Sequence, residues 1–381
     1  MKKGWFTKMA DNYLGESIKK LGFGLMRLPM KGDVIDIEQT KKMADTFLSK
    51  GFTYFDTAWV YIGGTSEVAL KEAVVDRYPR DSFQCASKLP LWVCDKPEDM
   101  RRVAQESLDR AGLSYYDFYL LHAMNKERFD LADKLGAWKF MEQWKAEGKA
   151  KHIGLSFHDT ADVLDEALTN HPEMEFVQLQ INYKDWEDEG VQSRKCYEVA
   201  RKHNKPVIIM EPVKGGALAT MPPEVQDLFR SANPELSVPS WAVRYAASLE
   251  GVVTVLSGMS DEAQLNDNVS YMEHFEPLSD GERGTIQKAV KILDSLPTIP
   301  CTKCKYCVDG CPQKINIPEI FAAMNDFTLY NNEAGAKRSY GNAVKDCGKA
   351  SDCIQCGACE GQCPQHIEII ECLKKAAAAL E

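Results

Sequence analysis

FVQLQINYKDWEDEGVQSRKCYEVARKHNKPVIIMEP, residues 176–212, reads as one strand–helix–strand unit. FVQLQIN and PVIIME are short apolar runs of the kind found in strands covered on both faces; KCYEVARKHN between them has helical apolar spacing and breaks at Asn204 and Pro206. Parallel strands need such a crossover, because no tight turn can return the chain to the starting end of a sheet. Comparable runs occur at GFGLM, FTYFD, FQCASK, DFYLLH, HIGLS and VVTVLSG, roughly 25–45 residues apart, which is the length of a strand–helix repeat. Eight such runs in about 250 residues predict an α/β fold closed into a (β/α)8 TIM barrel. A doubly wound sheet is the alternative, but its usual G-x-G-x-x-G is absent: Gly22-Phe23-Gly24 has neither a third glycine nor a following helix.

The chain has 381 residues, 44% hydrophobic and 27% charged, enough for a large core and two unequal domains. The expected division is a barrel over 1–295 and a smaller domain over 296–381, entered through LPTIPC with Pro297 and Pro300 as a linker. No apolar run approaches the length that spans a bilayer, and MKKGWFTKMADNYLGESIKK at the start has two lysines without an apolar stretch behind them. A cytoplasmic location is therefore expected. A net charge of -10 argues against nucleic acid and anionic membrane as partners.

A barrel carries its chemistry at the carboxyl ends of its strands. Asp56 ends the second run, Lys88 the third, His122 the fourth, Ser156 the fifth, Gln178 or Asn182 the sixth and Glu211 the seventh, with Tyr61 in the loop above Asp56. Singly, each has an ordinary explanation: Asp56 as a helix cap, His122 as a satisfied core histidine, Lys88 as a lysine reaching water. Their joint placement on one rim argues for a site. A free phenol titrates near about 10, and an adjacent ammonium lowers that value, so Lys88 is expected to acidify Tyr61. Asp56 would hold the lysine charged, and His122 would hydrogen-bond the substrate oxygen or the phenol; the set suits protonation of a carbonyl oxygen as hydride reaches its carbon. Trp59, Trp92 and Trp186 are candidates for lining the mouth around an apolar or ring-shaped compound, and equally for plain packing.

From Leu21 to Asn268 the chain resembles the aldo-keto reductase family: FDTAWVY (55–61) followed by GGTSE, Ser87-Lys88, SLDRAGLSYYDFYLLH ending at His122, and EGKAKHIGLS ending at Ser156. The resemblance implies a (β/α)8 barrel, NADPH or NADH bound without a Rossmann motif, and a catalytic tetrad of Asp56, Tyr61, Lys88 and His122 with Tyr61 as general acid. It also implies that Ser156 and Gln178 hold the nicotinamide amide, although Phe157-His158 stands where an asparagine usually follows that serine. In SGMSDEAQLNDN, Gly258, Gln264 and Asn268 match the family's phosphate and adenine segment, while Ser260 stands where an arginine commonly reads the 2'-phosphate. Without that guanidinium NADH becomes credible, unless Lys214 substitutes.

Eight of the thirteen cysteines form two copies of C-x2-C-x2-C-x3-C-P: Cys301, Cys304, Cys307 and Cys311 before Pro312, and Cys353, Cys356, Cys359 and Cys363 before Pro364. This is the ligand pattern of a bacterial two-cluster ferredoxin, in which the fourth cysteine of each run serves the other cluster. One 4Fe-4S cluster would take Cys301, Cys304, Cys307 and Cys363, the other Cys353, Cys356, Cys359 and Cys311. Zinc sites normally show C-x2-C pairs instead. Cys85, Cys94, Cys196, Cys347 and Cys372 read as small buried hydrophobes. The forty or so residues between Cys311 and Cys353 exceed a compact ferredoxin's connection, and INIPEIFAAMNDF and IEIIECLKKAAAAL have helical spacing, so a mainly helical ferredoxin-like domain is expected. Residues 301–381 hold 9 Lys+Arg against 10 Asp+Glu, without the acidic face of a freely diffusing ferredoxin.

Nicotinamide gives two electrons at once and each cluster takes one, so exchange between them generally needs a flavin. No flavin motif is identifiable, though barrel loops bind FMN without a signature. Three readings stay open: an NAD(P)H-linked carbonyl reductase or alcohol dehydrogenase coupled through its clusters to a redox protein or bound flavin; a cluster-fed reductase with little nicotinamide dependence; and an ordinary carbonyl reductase with structural or redox-sensing clusters.

Overall fold

The computed structural model describes residues 12–301, 303, 305–363 and 365–381; Cys304 and Pro364 lie outside the described residues. Eight parallel strands close into one barrel in chain order: β1 (Leu21–Gly24), β2 (Tyr54–Asp56), β3 (Gln84–Leu89), β4 (Tyr116–Met124), β5 (Ala150–Phe157), β6 (Phe176–Gln180), β7 (Val207–Met210) and β8 (Val252–Gly258). Pairing of β8 with β1, Val255 beside Leu21, completes the ring. Helices follow the strands, among them Ile37–Ser49, Pro97–Ala111, Lys126–Leu135, Ala161–Asn170 and Ser193–Lys202. The barrel expected from the sequence is the barrel present.

Two strand ends fall short of the apolar runs that mark them. GFGLM leaves the sheet at Gly24 and turns through Leu25–Arg27, burying Leu25 and exposing Met26. FVQLQIN stops at Gln180 because the Asn182 side chain accepts from the backbone of Lys184 and Asp185 at 3.1 and 2.9 Å, an Asx turn that competes with the ladder.

Strand periodicity builds the barrel interior. Tyr54, Ala86, Phe118, Leu120, Phe176, Ile208 and Leu256 form one apolar cluster, and Ile18, just past the hairpin Asn12–Tyr13/Glu16–Ser17, joins it. Gly154 makes room: a Cβ there would lie 2.5 Å from the Phe176 carbonyl oxygen and 2.7 Å from its ring. Successive inward positions are two residues apart, so Asp56 stands one step above Tyr54, Lys88 above Ala86 and His122 above Leu120. An apolar plug thus carries a polar layer at the carboxyl end of the barrel.

By compactness the chain forms two units: one runs to Pro212 and resumes over Ser240–Ser279, the other comprises Val213–Pro239 and Asp280–Glu381. In the second, helices Ile317–Tyr330, Glu333–Ala343 and Ile369–Leu380 surround a core that includes Ile315, Ile320, Phe321, Tyr340 and Leu373. Pro318 sits in the first turn of its helix, where a missing N–H costs nothing. The Glu333–Ala343 helix escapes periodicity reading because EAGAKRSYGNA has two glycines and buries mostly small residues, Ala336, Tyr340 and Ala343; Asn332 caps it, accepting from Gly335 N at 2.9 Å. The linker is fastened within this unit, since Asn325 accepts from Ile299 N at 2.7 Å and donates to its carbonyl at 2.9 Å.

Among the described residues no helix is long and apolar enough to cross a membrane. Cys85, Cys94 and Cys196 are buried as expected, and burial pushes the Cys94 thiol up to about 11 and that of Cys196 up to about 12. Cys347 corrects the expectation by being exposed, and Cys372 is only half-buried.

Candidate active site

The Lys88 ammonium is buried at the top of β3 and donates to Asp56 Oδ1 at 2.6 Å and to the Thr57 carbonyl at 2.7 Å. An ammonium has three N–H groups, which leaves one for the Tyr61 hydroxyl; the Tyr61 ring centroid lies 4.8 Å from Nζ. Burial alone would push Lys88 down, but the Asp56 carboxylate and the Tyr61 hydroxyl outweigh it and hold Lys88 above its ordinary value. For Tyr61 the balance goes the other way from the sequence expectation. Burial raises the phenol above 10; Lys88 opposes the rise and Asp56 adds to it. The ammonium acts in the expected direction, but desolvation exceeds it, so Tyr61 is firmly protonated.

Its neighbour is the His122 ring, 5.7 Å away between centroids and inclined at 76°. Burial pushes that imidazole down to about 2, helped by the charges of Lys88 and Arg128, so His122 is neutral and able to donate one hydrogen bond. Its Nδ1 and Asp56 Oδ2 are buried without a hydrogen-bond partner. Lys88→Met would strand the Asp56 carboxylate and should lower unfolding free energy by about 3–5 kcal/mol, read from urea midpoints. In an Asp56→Asn background the same substitution should cost less than half as much; equal costs would show that the pair is not coupled.

Tyr61 opens a loop in which Ile62, Gly63 and Gly64 all take left-handed φ, at 50, 63 and 88°. Bonds that sequence reading missed hold this loop. Arg110, on the outer helix Pro97–Ala111, donates to the Trp59 carbonyl at 3.2 Å and lies 4.5 Å over the Trp59 ring. The arginine faces Glu67 at 3.7 Å, and that fully buried carboxylate accepts from Ser87 at 2.7 Å and from Ser107. Thr57 and Ser66 hydroxyls meet at 2.7 Å across the loop base, and Ser66 donates to the Leu25 carbonyl. Trp59 thus serves the loop, Trp186 packs against Tyr197 and Tyr245, and Trp92 lies 5.2 Å from His122.

Of the remaining rim residues, Ser156 is buried and accepts from Ala123 N at 2.7 Å. Gln178 is also buried, and its Oε1 has no partner, whereas Asn182 is bound at both ends of its amide, so Gln178 is the one with an acceptor to offer. In the segment after β8, Ser260 N donates to Gln264 Oε1 at 2.9 Å, and Asn268, on the helix Glu262–Met272, donates to Ser257 Oγ at 2.6 Å and accepts from Tyr271. Gly258 leaves space for Arg27: a Cβ there would lie 3.1 Å from Arg27 Cδ, and the Arg27 carbonyl accepts from Ser260 Oγ at 2.9 Å. A guanidinium arm therefore runs beside this loop from a residue that sequence reading did not consider. Lys214 is half-buried with left-handed backbone, φ 49°.

The cysteines line two separate hollows. Cys311 shares one with Cys353, Cys356 and Cys359; Cys301 and Cys307 share the other with Cys363. Ile317 borders both. Among the described residues no three His, Cys, Asp or Glu side chains gather closely enough for a single metal ion. The thiols instead face two shared hollows, three or four to each.

A (β/α)8 barrel with a charged lysine, a protonated phenol and a neutral imidazole at its carboxyl end has its polar groups where barrels of this fold carry their chemistry. The model of the Aldo/keto reductase family matches residues 20–291, more than half of the chain, and the chain belongs to that family. Residues 300–368 match a 4Fe-4S dicluster domain. A probable aldo-keto reductase 1 of Glycine max is 29% identical over 181 residues, covering 45% of this chain and 50% of the relative. Rhazimal reductase 2 of Alstonia scholaris is 32% identical over 173 residues, 39% of this chain and 52% of the relative. The chain thus spans about half the length of the curated relatives it matches. An aldo-keto reductase from Klebsiella pneumoniae in complex with NADPH superimposes with a TM-score of 0.58 at 20% identity, over 71% of this chain and 90% of that one. The holo form of AKR11C1 from Bacillus halodurans gives 0.56 at 22% identity, over 72% and 93%. At such identities the likeness is one of fold.

Proposed function

We propose that the barrel reduces a carbonyl compound at the expense of NAD(P)H, and that the C-terminal module carries two 4Fe-4S clusters linking this chemistry to a redox protein or bound flavin. The nicotinamide would supply a hydride and the clusters one-electron storage. The observation that carries the reading is the Lys88 ammonium: 2.6 Å from Asp56, it keeps one N–H for Tyr61 beside a neutral His122. In that setting Tyr61 gives its proton to the substrate oxygen, Lys88 stabilises the phenolate left behind, Asp56 keeps Lys88 charged, and His122 donates to the same oxygen.

The residues also fit the cofactor. The unpartnered Gln178 Oε1 is an acceptor for a carboxamide N–H, and Ser156, whose oxygen is occupied as an acceptor, keeps its hydroxyl hydrogen to donate. Gly258, Ser260, Gln264 and Asn268 form the loop for the phosphate end, and Arg27 brings the charge that position 260 lacks, which favours NADPH. Cys301, Cys304, Cys307 and Cys363 would hold one cluster and Cys353, Cys356, Cys359 and Cys311 the other, in keeping with the two cysteine-lined cavities. In functional terms we divide the chain into a reductase part, 1–295, and a cluster part, 296–381, following the two family matches.

Anaerobic titration of the intact protein with NADPH and NADH, with and without an aldehyde, tests this reading. Aldehyde-dependent loss of nicotinamide absorbance is expected, at lower concentration for NADPH, with the cluster absorbance unchanged until a flavin or redox partner is added. No aldehyde-dependent oxidation of either nucleotide would overturn the reductase reading, and rapid cluster bleaching by nucleotide alone would overturn the need for an intermediary.

A further inference from the structure

The reductase reading leaves the substrate open, and the rim beyond β4 bears on it. Arg128 lies in the first turn of the helix Lys126–Leu135, six residues past His122. Its guanidinium is centred 4.4 Å over the Trp92 ring, and the Trp92 ring lies 5.2 Å from His122. Two contacts therefore join the guanidinium to the imidazole that would touch the carbonyl. The arginine is half-buried and donates to the Ala123 carbonyl, while among the described residues no carboxylate pairs with it. A guanidinium has five N–H donors in one plane, and a single bond to a main-chain oxygen leaves most of them uncommitted. Trp92, 42% exposed, holds the plane while presenting ring surface to the mouth.

The neighbouring groups do not satisfy this charge. His122 and His158 feel Arg128 and are both held neutral, by burial first and then by cationic charge. Of the rim carboxylates, Glu211 follows β7, three strands around the barrel, where its charge acts on Tyr61, and Asp159, just past β5, is engaged by the Lys126 and Thr160 backbone N–H groups at 2.8 and 2.7 Å.

We propose that Arg128 is a substrate-binding residue that recognises a carboxylate, so that the preferred substrate is an aldehyde or ketone bearing a carboxylate a few bonds from its carbonyl carbon. The inference rests on the reductase reading for the identity of the reacting group, but not for the anion contact itself. An arginine fork takes a carboxylate through two parallel N–H···O bonds, a geometry a lysine cannot reproduce. The flat Trp92 beside it suits a planar or aromatic spacer.

The test is binding without turnover. Affinities of the intact protein for benzoate and benzamide, equal in shape and different in charge, are measured by calorimetry for wild type, Arg128→Met and Arg128→Lys. Benzoate should bind wild type at least about tenfold more tightly than benzamide, as expected for a charge-assisted pair. Arg128→Met should bring that ratio close to one and Arg128→Lys should recover part of it. Arg128→Gln, which keeps a donor for the Ala123 carbonyl, replaces the methionine variant if the latter folds poorly. A wild-type ratio near one, or a ratio that survives loss of the guanidinium, overturns the proposal. Tyr61 and His122 could hold a carboxylate by themselves, and the surviving ratio is the outcome that would reveal it. Failure to reduce any aldehyde would instead count against the reductase reading, because no chemistry enters these affinities.

Discussion

Tyr61→Phe is expected to lower kcat for carbonyl reduction by about 10²–10⁴-fold, the usual contribution of a positioned general acid, while the affinity for NADPH changes little. The substitution removes one oxygen and keeps the ring that packs 5.7 Å from His122 and 4.8 Å from Lys88 Nζ, so the Lys88–Asp56 bond survives. What is lost is the proton, and with it the route by which the Lys88 charge reaches the substrate oxygen. The pH profile gives an independent reading. Burial holds Tyr61 above 10 and His122 near about 2, so neither group changes charge across the neutral range. Reductive turnover should be flat there and fall only in alkali, as the phenol loses its proton. A fall centred near the ordinary histidine value would mean that His122 is charged in the working enzyme. Full turnover by Tyr61→Phe would remove Tyr61 from the mechanism.

The contrast between Asp56 and Arg110 shows what a single sequence can and cannot disclose. Asp56, Lys88 and His122 were legible because strands are regular: each ends an apolar run, and a closed barrel gathers such ends on one rim. Tyr61 lies five residues past Asp56, close enough to be carried along. Arg110 leaves no comparable trace. It sits half-buried at the edge of a helix, and its relation to Trp59 depends on how that helix lies over the loop, which periodicity does not encode. Glu67 was hidden for a similar reason, since a fully buried carboxylate is unusual and its partners Ser87, Ser107 and Arg110 come from two further segments. Arg128 had a usable signal, an arginine opening the helix after β4, near the strand end where barrels place binding residues. The direction of the Tyr61 shift was beyond reach, because it depends on a desolvation that only the folded mouth determines.

Cysteine replacement should have effects as large, and in a pattern that separates two ways of wiring the module. If ligation crosses over, Cys363 belongs with Cys301, Cys304 and Cys307, as the cavity shared by Cys301, Cys307 and Cys363 suggests. Cys301→Ala combined with Cys363→Ala then damages one cluster only. Anaerobically purified protein should fall from about eight irons per chain to about four and keep a 4Fe-4S signal from the remaining site. If each run of four served its own cluster, the same pair of replacements would strike both, and iron should fall toward none. Cys311→Ala with Cys363→Ala is the reference, since these two serve different clusters in either arrangement and loss of both is predicted. The cavities are not independent walls: Ile317 borders both, so the emptied side is held in shape by the occupied one. The Cys301→Ala/Cys363→Ala protein should therefore stay folded in its C-terminal unit, while the Cys311→Ala/Cys363→Ala protein, left with neither cluster, should lose its cooperative unfolding transition there, because cluster binding and folding of so small a core are linked. Equal iron loss in the two double variants would exclude the crossed arrangement, whatever the absolute content.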